Sequence, residues 1–258
     1  MNILAVINQK GGVGKTTTVL SLGACLVKKK KKVLLIDFDG SGNLTFLCKG
    51  ESIGVCTAYE MLTRECTAEE AVQEMPGGYD LIAANSNLPG AESKIADPVS
   101  RIIRLKQCLA SIKDRYDWII IDTPPNLGFL TANALVAATD VLIPSEPDIL
   151  SGKGILALVD ETIRSIKESV NPTLRILGIV FTRFTANTNN AKAMSMAIQD
   201  FGNMYHIKIF NTCIRNNVKV KDSQSAQIDL IKFNPSANAA KDYMALTAEI
   251  LKEAKKNG

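Results

Sequence analysis

The sequence predicts an α/β fold: a mostly parallel twisted sheet with helices on both faces, in a single domain over residues 1–258. Three features predict it. Apolar runs of strand length alternate with longer segments of helical period, the mark of parallel strands joined by crossover helices. The strand runs at residues 3–7 and 118–121 are continuously apolar, which suits strands covered on both sides. The first of them leads into a glycine-rich turn and then a helical segment, the start of a strand–loop–helix unit.

The first run, 3–7, is followed by Asn8-Gln9-Lys10-Gly11-Gly12-Val13-Gly14-Lys15-Thr16-Thr17, and helical spacing covers 16–29. Strand, glycine-rich loop and helix N-terminus together cradle phosphate. Gly11, Gly12 and Gly14 accept backbone angles closed to other residues and put no Cβ in a ligand's way. Their N–H groups can therefore turn toward phosphate oxygens. Lys15 supplies a point charge for the β- and γ-phosphates, and the Thr16 hydroxyl can ligate a Mg²⁺ bridging them. The strict G-x-x-x-x-G-K-[ST] pattern fails, because its first glycine would fall at Gln9, and an extra lysine, Lys10, stands ahead of Lys15.

In this the loop resembles the deviant Walker A motif of the ParA/MinD family, which also includes the nitrogenase iron protein. The resemblance implies a P-loop NTPase domain that binds ATP and Mg²⁺. It implies nucleotide contacts from Lys10, Gly11, Gly12, Val13, Gly14, Lys15, Thr16 and Thr17, with Lys10 and Lys15 acting in catalysis. It also implies that Lys10 reaches across a two-fold interface to the nucleotide of a second subunit.

Five lysines, Lys28 to Lys32, close the first helix, where cations suit the helix dipole. The run reads as a solvated turn, with a nucleic-acid or anionic-lipid patch as the alternative. The second strand, 33–36, runs into Asp37-Phe38-Asp39-Gly40-Ser41-Gly42-Asn43. Carboxylates at that end of a buried strand lie at the edge where open α/β sheets bind ligands. The stretch is similar to the Asp-x-Asp-Pro-Gln-Gly-Asn segment of ParA proteins, and Asp-Phe-Asp-Gly also resembles MinD. The likeness implies that Asp39 positions the attacking water and Asp37 supports it. Gly40 and Ser41 replace the family's Pro and Gln, which bears on loop rigidity and hydrolysis rate.

Further helical patterns cover 67–75, 100–113, 130–138, 153–168, 190–203 and 237–255, and Thr67 with Glu70 has capping-box spacing. Further strands are expected at 118–121, 141–143 and 176–181, with weaker candidates at 80–83, 207–210 and 229–231. The 118–121 strand opens with Trp118, a core residue, and ends in Asp122-Thr123-Pro124-Pro125. An apolar strand ending in aspartate downstream of a phosphate loop is a Walker B pattern, which assigns Asp122 to the Mg²⁺ shell with Thr16. The Thr-Pro-Pro resembles the family's switch II, and 127–144 continues the likeness. Thr182 stands at the edge where relatives hold the nucleotide base, and Arg183 reads as solvated. His206, the single histidine, falls in a strand pattern and reads as structural. Residues 214–225 resemble a segment that binds DNA non-specifically in ParA proteins, with Arg215, Lys219 and Lys221 at the matching positions and a solvated basic loop as the alternative. In the closing helix Ala240, Met244, Leu246 and Leu251 form a packing face beside Asp242, Glu249 and Glu253. That is a docked core helix rather than the basic membrane helix of MinD.

Composition sets the outer limits. A chain of 258 residues with 46% hydrophobic and 22% charged residues is ordinary for a globule. At this size roughly 70–75% of the unfolded surface is buried without disulfide or metal. A net charge of +4 is compatible with nucleic acid but too weak to argue for it alone. The six cysteines form no C-x-x-C and have no histidine nearby, which argues against zinc and fits a reducing cytosol, with Cys25 in the core. No signal peptide is evident, and no run approaches the ~18 apolar residues of a membrane span.

Together the motifs resemble the ParA/Soj branch over essentially the whole chain. That implies an ATPase that dimerises on ATP, binds non-specific DNA, is stimulated by a ParB-like partner, and acts in the cytoplasm on the nucleoid without a membrane. Three alternatives stand beside it. One is a MinD-like membrane-positioning ATPase. The second is a slow nucleotide switch with little hydrolysis. The third is an iron–sulfur electron carrier, which needs cysteines that are absent between Cys108 and Cys213.

Overall fold

The computed structural model describes residues 1–147, 154–185, 199 and 202–255. Seven strands form one sheet: β1 (Asn2–Val6), β2 (Val33–Asp37), β3 (Val72–Glu74), β4 (Asp80–Ile82), β5 (Trp118–Asp122), β6 (Asp140–Ser145) and β7 (Arg175–Phe181). Their spatial order is β3-β4-β2-β5-β1-β6-β7. All pairings are parallel except β3 with β4.

The helices with both ends among the described residues include α1 (Lys15–Lys28), α2 (Asn43–Cys48), α3 (Ala58–Thr63), α4 (Ala68–Ala71), α5 (Ala91–Lys94), α6 (Pro98–Leu109), α7 (Phe129–Ala137), α8 (Arg164–Ser169), α9 (Val218–Ser225), α10 (Leu230–Phe233) and α11 (Asn238–Lys255). A π-helical stretch, Leu158–Ile163, leads into α8. No described helix is long and apolar enough to cross a membrane.

Side chains alternate across each strand, so continuous apolar runs feed two cores. Ile3, Ala5, Leu34, Ile36, Ile119 and Ile121 face one, with Met61 of α3, Leu105 of α6 and Leu135 of α7. Leu4, Val6, Leu35 and Ile120 face the other, with Leu22 and Leu26 of α1 and Tyr243, Leu246 and Ile250 of α11. Trp118 and Cys25 belong to this second core, as their sequence context predicts. In α11, Ala240 and Leu246 are buried as expected, but Tyr243 and Ile250 carry the packing while Met244 and Leu251 lie at its margin. Tyr243 does so because its ring fills the core while its hydroxyl meets the Thr18 hydroxyl at 3.2 Å.

Register sets the functional edge. Val6 pairs with Asp122 and Asp37 pairs with Asp122, so the carboxyl ends of β1, β5 and β2 are level. The glycine-rich loop and two acidic strand ends therefore open onto one crevice.

Five expectations are corrected. The helix expected at 67–75 lasts only Ala68–Ala71, although Thr67 and Glu70 do form the capping box. The chain turns extended at Val72, and Val72–Glu74 pairs antiparallel with β4. Ladder hydrogen bonds to an existing sheet edge outweigh a modest helical preference. Residues 229–231 are not a strand: the Asp229 carboxylate accepts the Lys232 N–H at 2.8 Å and caps α10. Residues 207–210 make a single bridge, Ile179 with Ile209, in place of a full strand. His206 stands outside any strand, in a turn at φ 53°. The basic stretch read as a possible loop is helical from Val218, capped by the Asn217 side chain on the Lys219 N–H at 2.9 Å. The helix expected at 190–203 lies mostly outside the described residues.

Candidate nucleotide-binding site

The loop after β1 takes its shape from two glycines. Gly12 and Gly14 have φ of 78° and 86°, in the left-handed region where a side chain is strained. Gly14 also caps α1 without any side-chain acceptor, which leaves the first N–H groups of the helix for a ligand. Three side chains pin the loop. Asn8 donates to the Pro144 carbonyl at 2.7 Å and accepts the Lys10 N–H at 2.9 Å. The Thr182 hydroxyl donates to the Val13 carbonyl at 2.8 Å. Thr123 donates to the Val6 carbonyl at 2.8 Å, tying the strand before the loop to the segment after β5.

Lys15 is 8% exposed, and its ammonium donates to the Asn8 carbonyl at 3.0 Å and to the Lys10 carbonyl at 3.4 Å. Burial lowers its pKa, and the nearby Asp122 and Asp39 oppose that shift. Asp37 is fully buried and engaged: its Oδ2 accepts both the N–H and the hydroxyl of Thr45 at 2.7 Å. Burial nonetheless raises its pKa to about 6. Asp39, half-buried at the cavity wall, accepts the Ser41 N–H at 3.0 Å.

Gly40, which replaces the family's proline, has a structural cause. A Cβ there would stand 2.7 Å from Pro89, so close packing against the segment after β4 takes over from proline as the constraint on the loop.

Asp122 is the anomaly. It is 1% exposed and neither carboxylate oxygen accepts a close hydrogen bond, although the Thr16 hydroxyl lies near enough to favour the charged form. Burial, and then the charge of Asp37, push its pKa well above the ordinary value, while Thr16 and Lys15 oppose the shift. Orphaned buried carboxylate oxygens are costly. Beside the Thr16 hydroxyl they offer a hard oxygen donor set suited to Mg²⁺.

This gives a test in the protein without nucleotide. Between pH ~4 and the raised value, the folded state holds a proton that the unfolded state has lost, so stability falls as pH rises. Asp37 adds to that fall up to about pH 6. Asp122→Asn should raise the neutral-pH Tm and flatten this dependence, while losing Mg²⁺-dependent tightening of nucleotide. Thermal melts from pH 4 to 8 check it, and an equal or lower Tm in the variant would show that the buried charge costs nothing.

A cavity of about 720 Å³ is lined by Gly11, Gly12, Gly14, Lys15, Thr16, Thr17 and Asp39, together with Pro125, Arg183 and Gln224. A smaller cavity of about 270 Å³ adjoins it through Gly14, Thr17, Arg183 and Gln224. Val13 is buried beneath the loop, and its contribution to the site is the carbonyl that Thr182 holds. Lys10 stands at the rim with its ammonium 3.1 Å from Glu146.

The residues matched to DNA binding lie around α9. Arg215 makes a two-pronged contact with Asp242, at 2.9 and 2.6 Å. Lys219 pairs with Asp222 at 2.9 Å, and Lys221 borders the smaller cavity. The sequence offered no signal for Asn8, Glu146 or Gln224. Only their partners, more than a hundred residues away in sequence, reveal them.

Comparison with known proteins agrees with this geometry. The family described as AAA domain matches residues 1–176. The chain is 36% identical over 251 residues to the sporulation initiation inhibitor protein Soj of Bacillus subtilis, covering 96% of this chain and 97% of that protein. It is 34% identical to the chromosome-partitioning ATPase Soj of Treponema pallidum, with 96% of each chain covered. Among solved structures it is similar to a cobyrinic acid a,c-diamide synthase from Mycobacterium smegmatis with bound ADP and magnesium, at TM-score 0.87 and 30% identity over 100% of this chain and 97% of that one.

Proposed function

Because the chain belongs to the ParA/Soj-like family of P-loop partitioning ATPases, we propose that it closes into a dimer on ATP, binds DNA without sequence preference in that state, and is reset by hydrolysis that a ParB-like partner stimulates. Its activity is that of an ATPase using ATP and Mg²⁺. One observation carries the site assignment: Lys15, Thr16 and Asp39 line one cavity at the loop, and the buried Asp122 carboxylate lies close enough for its charge to act on Lys15.

In this reading Lys15 and the free N–H groups of α1 hold the phosphates and take up charge as the γ-phosphoryl departs. Thr16 and Asp122 would hold Mg²⁺, which would supply further positive charge to the phosphates. Asp39 orients the attacking water, its own carboxylate steadied by the Ser41 N–H. Asp37 keeps the strand end in place through Thr45. Lys10 leaves the rim to meet the nucleotide of the second subunit.

Two amides support a link between nucleotide and DNA. Gln224 of α9 donates to the Thr17 hydroxyl at 3.0 Å, and Gln227 donates to the Phe46 carbonyl at 2.8 Å. The basic helix is thereby tied to the helix that follows the phosphate loop, and the turn after it to the helix that follows Asp39. A membrane-positioning role is disfavoured because Tyr243, Leu246 and Ile250 spend the apolar face of α11 in the core. The place of action we propose is the nucleoid in the cytoplasm.

Binding to arbitrary duplex DNA with ATP, with ADP and without nucleotide tests the proposal. Only the ATP form should bind tightly, with a log–log salt slope of about −0.9 per phosphate neutralised. Replacing Arg215, Lys219 and Lys221 together by Ala should make the slope shallower by roughly 1 for each phosphate no longer neutralised, with ATP-dependent dimerisation retained. Equal affinity in all three nucleotide conditions would remove the DNA switch, and an unchanged slope in the triple variant would move the DNA surface elsewhere, with Lys28 to Lys32 next.

A further inference from the structure

Arg183 belongs to none of the motifs above, yet its position is tightly determined. Before it, Thr182 donates its hydroxyl to the Val13 carbonyl at 2.8 Å and its N–H to the Ser145 carbonyl at 2.9 Å. After it, the Phe184 N–H donates to the Ile214 carbonyl at 2.9 Å. Between these anchors Arg183 sits at φ 50°, a left-handed conformation that a residue with a side chain keeps only where its surroundings impose it.

The conformation carries the guanidinium over the phosphate loop. Nη2 lies 3.9 Å from the point where a Cβ on Gly12 would stand, and Nη1 lies 3.0 Å from Glu146 Oε1. The other Glu146 oxygen, Oε2, takes the Lys10 ammonium at 3.1 Å. One carboxylate thus serves two cations at the rim of the phosphate loop. Arg183 also lines both cavities, at the junction between the phosphate-loop end and the end walled by Ile214 and Asn216.

We propose that Arg183 is a nucleotide-phosphate ligand of this chain, exchanging its contact with Glu146 for the phosphates when nucleotide binds. The inference rests on the ATP reading above and extends it to a residue outside the phosphate loop. The Arg183 side chain is 58% exposed, and an ion pair so open to water is readily exchanged. A polyphosphate offers several negative oxygens where Glu146 offers a single carboxylate already shared with Lys10. The planar guanidinium fork matches phosphate oxygens in pairs, which lysine cannot do. Thr182 keeps the arginine fixed relative to the loop, so the guanidinium has little distance to cover.

Titrations of adenosine, ADP and ATP against wild type, Arg183→Ala, Arg183→Lys and Glu146→Gln test this, with thermal melts to confirm folding. Arg183→Ala should lose about tenfold in ADP and ATP affinity, the usual loss for a charge-assisted hydrogen bond, and nothing for adenosine. Arg183→Lys should recover part of the loss. Glu146→Gln, which releases the guanidinium, should bind ATP more tightly than wild type. An equal loss for adenosine would overturn the proposal by assigning Arg183 to the base. Unchanged ADP and ATP affinities in Arg183→Ala would overturn it by leaving only a surface ion pair. A wild-type protein that binds no ATP would instead remove the underlying reading, and the same experiment shows this before any variant is compared.

Discussion

Lys15→Ala should bind ATP at least ~100-fold more weakly than wild type, a loss of about 2.7 kcal/mol, and its turnover should fall below detection. The size of the effect follows from where the ammonium sits. It is 8% exposed and anchored by the Asn8 and Lys10 carbonyls, so little reorganisation is needed to meet a phosphate. Its charge also interacts with those of Asp122 and Asp39. Without it, the Asp39 carboxylate at the cavity wall opposes an incoming polyanion. Arg183 and Lys10 stand at the rim and are already engaged by Glu146. Calorimetric titration with Mg-ATP decides the matter, and near-wild-type affinity would remove the assignment of the loop as a phosphate site.

Asp39→Ala should separate binding from chemistry. Its ATP affinity should match wild type, because Lys15, Thr16 and the loop are untouched. Hydrolysis should slow by roughly 100-fold or more, the usual contribution of a positioned group to proton transfer or water orientation. Asp37 cannot stand in for it. That carboxylate is fully buried and spends Oδ2 on both donors of Thr45. Single-turnover hydrolysis measures the rate, and light scattering should show the ATP-bound dimer accumulating. Wild-type turnover in the variant would leave Asp39 as a loop-shaping residue that holds the Ser41 N–H.

The closing helix shows how sequence and structure divide the information. Its helical period gave its extent to within a residue, because spacing along one chain is a local property. It did not show that Tyr243 and Ile250 take the central packing places, since that depends on the shape of α1 opposite. The stretch after Thr67 is sharper still. The capping box formed as its residues require, and the helix still ended at Ala71 because Val72–Glu74 found a sheet edge to pair with. Propensity is a weak preference summed over few residues, whereas a ladder of hydrogen bonds to an existing strand is a cooperative gain.

By itself the sequence determined the fold class, the phosphate loop and the acidic ends of two strands. Each is written in contiguous residues: continuous apolar runs for doubly buried strands, glycines where φ must be positive, a carboxylate at the end of an apolar run. Only the tertiary structure decided what those pieces do to one another. Strand register set Asp37 beside Asp122 and left the Asp122 oxygens buried with no close hydrogen bond. Chain segments far apart in sequence brought Glu146 between Lys10 and Arg183, and gave Arg215 the carboxylate of Asp242. The reason is physical. Backbone preference and periodicity act over a few residues, while burial, charge pairing and hydrogen-bond satisfaction depend on whatever the folded chain places within a few ångströms.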